Sequence, residues 1–176
     1  FWVSVHTQIK PTTTPFAIPV VDALAVYQNE LYAGGIFDST DGHIVNNIVK
    51  WDGASWTDVG SGIDGFVYAL CVFNGALYAG GAFNTAGGNT ANYIAKWDGS
   101  SWSSVGTGVN NPVNAFTVYG GNLYAGGNFT NAGGTPANFI AKWNGTSWSA
   151  LGGGMNARVY ALTSFNSELH VGGEFD

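Results

Sequence analysis

Lys50-Trp51, Lys96-Trp97 and Lys142-Trp143 are the residues whose types and spacing most invite a chemical reading. An indole face can stack on a sugar ring, and a nearby ammonium can donate hydrogen bonds to hydroxyls or anions. Repeated along the chain, such pairs would make a ligand-binding surface rather than a catalytic one; packing of the rings between repeated units is the stronger competing reading. A second group occurs once, in Asp38-Ser39-Thr40-Asp41-Gly42-His43. Asp38 and Asp41 beside Gly and His could help hold a hard cation such as calcium. That ion needs roughly six to eight oxygens, so a solvated acidic turn is the competing reading.

Nothing in the sequence assembles a catalytic set, and neither enzyme activity nor a cofactor is expected. His6, His43 and His170 share no spacing with Ser, Cys or Asp partners, and no His/Cys pattern suits zinc. Cys71 is the only cysteine, which excludes an internal disulfide. It sits in an apolar run and reads as a small buried hydrophobe. The Gly-Gly pairs lack the following helix and Lys-Ser/Thr of a phosphate loop, so tight strand geometry explains them better. Asn46, Asn92 and Asn138 recur near loops and suit bonding to turn backbone. Asn128-Phe129-Thr130 and Asn144-Gly145-Thr146 match the N-glycosylation pattern, but both lie inside the repeat's own motifs.

Charge narrows the partners. Lys and Arg total 5 against 11 acidic residues, for a net charge of −6. Without a basic patch, nucleic-acid binding is not expected, and no run reaches the ~20 apolar residues of a membrane span. Charged residues are only 9% of the chain, aromatics are 15%, and there are 27 glycines. This suits turn-rich β-structure with a polar, weakly charged surface.

The elements that must position these residues follow from a repeat. Leu31-Tyr32-Ala33-Gly34-Gly35 returns at 77–81 and 123–127, and in divergent form as Leu169-His170-Val171-Gly172-Gly173, always 46 residues on. The Lys-Trp pairs and Trp56, Trp102 and Trp148 keep the same step. Each unit reads as four short strands, with Asn74-Gly75, Gly120-Gly121 and Asn144-Gly145 as tight hairpin turns. The first strand is apolar on both faces, so units must stack face to face. Four-stranded repeats of about 40–50 residues mark propeller blades. The expected fold is therefore an all-β propeller, with blades at 21–66, 67–112 and 113–158 and a partial unit at 159–176. Residues 1–20 read as the last strand of a preceding blade plus a connector. The partial pieces could share one blade of a four-bladed ring. A stretch of a longer propeller is the simpler reading.

The double glycine, followed 16 residues later by Trp97 and five further on by Trp102, resembles the kelch repeat, with Trp in place of the usual Tyr. The chain is also similar to tandem repeats of large secreted bacterial surface proteins, including type IX secretion cargo. That resemblance implies a secreted or cell-surface location and a non-catalytic adhesion or binding module, contacting protein or glycan through blade-end loops. Trp-Asp-Gly-x-x-Trp also resembles small fucose-binding propeller lectins, which implies glycan binding through Trp51, Trp97 and Trp143. The Arg/Glu pair of that family does not recur here. A non-catalytic part of a larger secreted enzyme is a third expectation. Gly34, Gly35, Gly80, Gly81, Gly126, Gly127, Trp56, Trp102 and Trp148 are expected to be structural.

Overall fold

The computed structural model describes residues 9–10, 19–40 and 43–176, and every regular element among them is a strand. A short β1 (Ile9–Lys10) precedes the first blade. Blade 1 contains β2 (Val20–Tyr27), β3 (Glu30–Ile36), a small hairpin of β4 (Ser39–Thr40) and β5 (His43–Ile44), then β6 (Ile48–Trp51) and β7 (Trp56–Asp58). Blade 2 repeats this as β8 (Phe66–Phe73), β9 (Ala76–Ala82), β10 (Thr85–Ala86), β11 (Asn89–Thr90), β12 (Ile94–Trp97) and β13 (Trp102–Ser104). Blade 3 has β14 (Val113–Tyr119), β15 (Asn122–Gly127), β16 (Asn131–Ala132), β17 (Thr135–Pro136), β18 (Ile140–Trp143) and β19 (Trp148–Ala150). A final hairpin is formed by β20 (Val159–Phe165) and β21 (Glu168–Gly173).

The sheets are antiparallel meanders in the orders β2-β3-β6-β7, β8-β9-β12-β13 and β14-β15-β18-β19. First strands of successive blades lie side by side, β2 by β8, β8 by β14 and β14 by β20. This is the stacked, axial arrangement of a β-propeller. The segment expected to form the end of a preceding blade, Trp2–Val5, lies outside the described residues. The connector that follows it pairs Ile9 with Thr40, as Ile63 pairs with Ala86 and Val109 with Ala132 in the next units.

Turn chemistry divides the hairpins. Asn74-Gly75 and Gly120-Gly121 have both central residues at positive φ, as a two-residue hairpin of this twist requires. Asn144-Gly145 departs from that expectation, because only the glycine has positive φ. The β18–β19 loop is four residues long, and the Asn144 side chain closes it by accepting the Thr146 and Ser147 amides at 2.8 Å. Asp98 does the same for Ser100 and Ser101, and Asp52 for Ala54 and Ser55. The stretches after Gly34-Gly35, Gly80-Gly81 and Gly126-Gly127 each hold a small additional hairpin.

These caps carry a pH signature. Hydrogen bonds from Ser101, then Ser100, hold the Asp98 carboxyl well below the usual carboxylate range, and those from Ser55 and Ala54 lower Asp52. A depressed carboxylate contributes stability that is fully present above its ordinary pKa and lost as pH falls through the lowered one. Amide NMR signals of Ser100 and Ser101 are therefore expected to move only below the ordinary value of 3.8. Those of Thr146 and Ser147, held by a neutral amide, should not follow. Equal acid shifts in both turns would contradict this account.

Packing follows from strand alternation. One blade face presents Tyr32, Ile48, Val59 and Ile63, and the next blade covers it with Val67, Leu77, Ala79, Trp97 and Trp102 in one buried cluster. The second interface repeats this with Tyr78, Ile94, Val105 and Val109 against Val113, Leu123, Ala125, Trp143 and Trp148. Glycine opens the space for it. A Cβ on Gly34 would stand 2.5 Å from Val67 Cγ1, and one on Gly80 would stand 2.7 Å from Val113 Cγ1.

Candidate functional site

Neighbouring strand residues point to opposite faces, and this separates the repeated Lys-Trp pairs. Trp97 and Trp143, 5% and 4% exposed, are buried between blades, while Lys96 and Lys142 point to the other face, opposite Tyr78 and Tyr124 in register. A lysine and its adjoining tryptophan thus do not converge on one ligand. Lys50 instead pairs with Glu30 at 3.0 Å. Trp51 is half-buried on the outer side of blade 1 and lies 5.4 Å from Trp56, ring centre to ring centre. Trp102 and Trp148 donate their indole N–H groups to the Val59 and Val105 carbonyls of the preceding blade, at 2.9 and 3.0 Å.

Burial raises the Tyr32 hydroxyl to about 12 and the Cys71 thiol to about 11. Both groups are therefore held in their neutral forms at physiological pH. Asp41 lies outside the described residues, and Asp38 stands just before the β4–β5 hairpin. Among the described residues, no three His, Cys, Asp or Glu side chains gather as a metal site would require. Asn46, Asn92 and Asn138 donate to the carbonyls of Ser61, Thr107 and Gly153 at 3.0 to 3.2 Å, the turn-bonding use expected of them.

The arrangement best suited to holding a ligand was not singled out in the sequence. A cleft of about 610 Å³ opens at the blade ends between blade 3 and the β20–β21 hairpin, lined by Asn111, Asn128, Phe139, Asn156, Arg158 and Glu174, among others. The Arg158 carbonyl accepts the Glu174 amide at 3.0 Å, so the two strand ends are fixed together. Asn114 bridges the blades by donating to Val159 O at 2.8 Å and to Asn128 Oδ1 at 3.1 Å. Tyr160 donates to Glu174, while Arg158 is exposed.

Phe139 is held at φ 62°, a left-handed conformation that costs an aromatic residue roughly 1–2 kcal/mol. Blades 1 and 2 hold Asn47 at φ 58° and Tyr93 at φ 68° in the equivalent position, so this conformation belongs to the repeat. The signal that could have found the cleft was departure from the repeat. Arg158 stands where earlier copies have Phe66 and Pro112, and Glu174 where they have Ala82 and Asn128.

A family model described as the Rax2 C-terminal beta propeller domain matches residues 13–168. No curated protein matches the chain. Among solved structures, the chain is similar to the computationally designed protein Ika4, at 18% identity and TM-score 0.57, over 87% of this chain and 84% of that one. It is also similar to the designed protein Ika8, at 18% identity and TM-score 0.53, over 87% of this chain and 42% of that one. U3-55K matches at 16% identity and TM-score 0.53, over 90% of this chain and 46% of that one. The chain thus spans under half the length of the latter two.

Proposed function

Because the chain belongs to the Rax2 C-terminal β-propeller domain family, we propose that it serves as a non-catalytic binding module, holding a polar ligand at the blade ends while the blades supply rigidity. The observation that carries this is the cleft between blade 3 and the final hairpin. There one exposed cation, one carboxylate and three asparagine amides line the same opening as the Phe139 side chain. Few charges and many amides favour hydrogen-bonded recognition over electrostatic steering. The resemblance to secreted tandem-repeat proteins supports a location outside the cell and a role in adhesion. A protein loop is the first expected ligand. A glycan is the second, favoured by the Phe139 ring beside Asn111, Asn128 and Asn156.

The test is to screen the protein against an array of neutral and acidic oligosaccharides and a panel of extended peptides, and then repeat the screen with variants. Arg158→Ala is expected to weaken the bound class about tenfold or more, as loss of a central arginine contact does. Phe139→Asn should fold, since asparagine holds the equivalent place in blade 1, and should lose binding as well. Absence of binding to either class, or binding indifferent to both substitutions, would overturn the proposal.

A further inference from the structure

Of the two N-glycosylation patterns in the chain, the fold presents one and closes the other. Asn144-Gly145-Thr146 lies in the exposed turn between β18 and β19, the strands of blade 3 farthest from the axis. Asn144 Oδ1 accepts the Thr146 and Ser147 amides, and two N–H donors identify that atom as the oxygen. Asn144 Nδ2 is thereby turned toward Ser147 Oγ, to which it donates one exposed bond at 3.2 Å. Asn128-Phe129-Thr130 is the opposite case. Asn128 is half-buried, its Oδ1 accepts the Asn114 side-chain amide at 3.1 Å, and its backbone N–H is tied to the Pro112 carbonyl at 2.9 Å. Phe129 beside it is fully buried. The other two copies show what the Asn144 turn needs. Asp52-Gly53-Ala54-Ser55 and Asp98-Gly99-Ser100-Ser101 stand at the same place, and their carboxylates make the same two caps. The cap therefore requires only an oxygen, and the amide nitrogen of Asn144 is surplus to the fold.

We propose that Asn144 is the acceptor of an N-linked glycan. The donor is an oligosaccharide joined through its first sugar carbon to a lipid pyrophosphate. Asn144 Nδ2 bonds to that carbon, the carbon–oxygen bond to the pyrophosphate breaks, the pyrophosphate leaves with the bonding pair, and one amide proton is released. Oδ1 remains a carbonyl oxygen, so both caps survive. The bulky, solubilising chain then projects from an exposed turn, the setting such a modification requires. Four residues of β18, ~13 Å of strand, separate Asn144 from Phe139 in the cleft. The glycan thus leaves the cleft open, whereas one on Asn128 would stand among the residues that line it. This inference rests on the location outside the cell proposed above, because such donors serve exported chains.

The test is to secrete the chain from yeast behind an export leader, release glycans with peptide N-glycosidase in heavy-oxygen water, and locate the label by peptide mass spectrometry. Position 144 should carry the label in most molecules and position 128 in few. Asn144→Asp should lose that glycan and keep the circular dichroism spectrum of the parent, since it installs the cap of blades 1 and 2. Asp98→Asn should gain a second glycan, because it completes the same pattern with Ser100 in a turn of the same build. A secreted, folded chain unlabelled at position 144 would overturn the proposal. So would equal labelling at 128, or an Asp98→Asn variant that gains nothing. Ligand binding at the cleft is a separate readout, expected to be unchanged in Asn144→Asp, so either reading can fail without the other.

Discussion

Gly81→Ala is expected to unfold the arc or destabilise it by roughly 3 kcal/mol or more, as overpacking against immovable neighbours does. Gly81 lies opposite Val67 at a β-bulge, where the register shifts between Val67 and Ala69. The bulge swings the Phe66 carbonyl inward, and a Cβ on Gly81 would overlap that oxygen. The obstacle is backbone, so no side-chain rotation relieves it. Gly35 meets the Val20 carbonyl and Gly127 the Pro112 carbonyl in the same way, so the constraint belongs to the repeat. Neighbouring glycines set the scale. Gly80 would meet the side chains of Phe116 and Val113 at 2.6 to 2.7 Å, which can shift at some cost. Gly88, at φ +78 with nothing within 4 Å, risks only the left-handed penalty of about 1–2 kcal/mol. Urea midpoints should therefore fall least for Gly88→Ala, further for Gly80→Ala and furthest for Gly81→Ala. A Gly81→Ala midpoint equal to that of Gly88→Ala would remove the bulge from the explanation.

This glycine logic marks the limit of what the sequence discloses. The repeat of Leu-Tyr-Ala-Gly-Gly was enough to place the strands and to require stacked sheets, because a strand apolar on both faces has no other use. It could not tell the two glycines apart, since one makes room for the next blade and the other for its own backbone. The alternation of Lys96 and Trp97 was legible in principle, as adjacent strand residues never share a face. Packing between units is the stronger reading of Trp97 from sequence, and pairing it with Lys96 as a ligand set overlooks that alternation. The cleft was hidden for a different reason. Phe139, Arg158 and Glu174 are far apart along the chain, and only the stacking of β20–β21 on blade 3 brings them to one opening. Repetition draws attention to what every copy shares, which here is packing, and away from the single-copy residues that surround the cleft.

The second large effect concerns the two tryptophans of a blade, which lie 5.4 Å apart in Trp97 and Trp102 and yet stand differently toward polar burial. Trp102→Ala should cost about 3–5 kcal/mol, the usual range for emptying a buried aromatic site. Glycines of the preceding blade are set close around these rings, with a Cβ on Gly60 only 3.0 Å from Trp97 and 3.2 Å from Trp102, so little can collapse into the void. Phenylalanine substitutions separate packing from hydrogen bonding. The Val59 carbonyl accepts both the Gly62 amide at 3.1 Å and the Trp102 indole at 2.9 Å. Trp102→Phe forfeits the bond that ties one blade to the next, worth about 1 kcal/mol, in addition to the lost ring volume. The Trp97 indole N–H is also buried, but it faces only the Tyr32 hydroxyl of the preceding blade and makes no bond of ordinary geometry to it. Trp97→Phe therefore gives up a weaker polar contact than Trp102→Phe does, and the release of a poorly paired donor offsets part of the volume lost. Equilibrium unfolding should place Trp102→Phe clearly below Trp97→Phe in stability, with Trp148→Phe and Trp143→Phe in the same order one blade further on. If the order reversed in both blades, volume alone would govern the interface and the inter-blade hydrogen bond would contribute nothing to it.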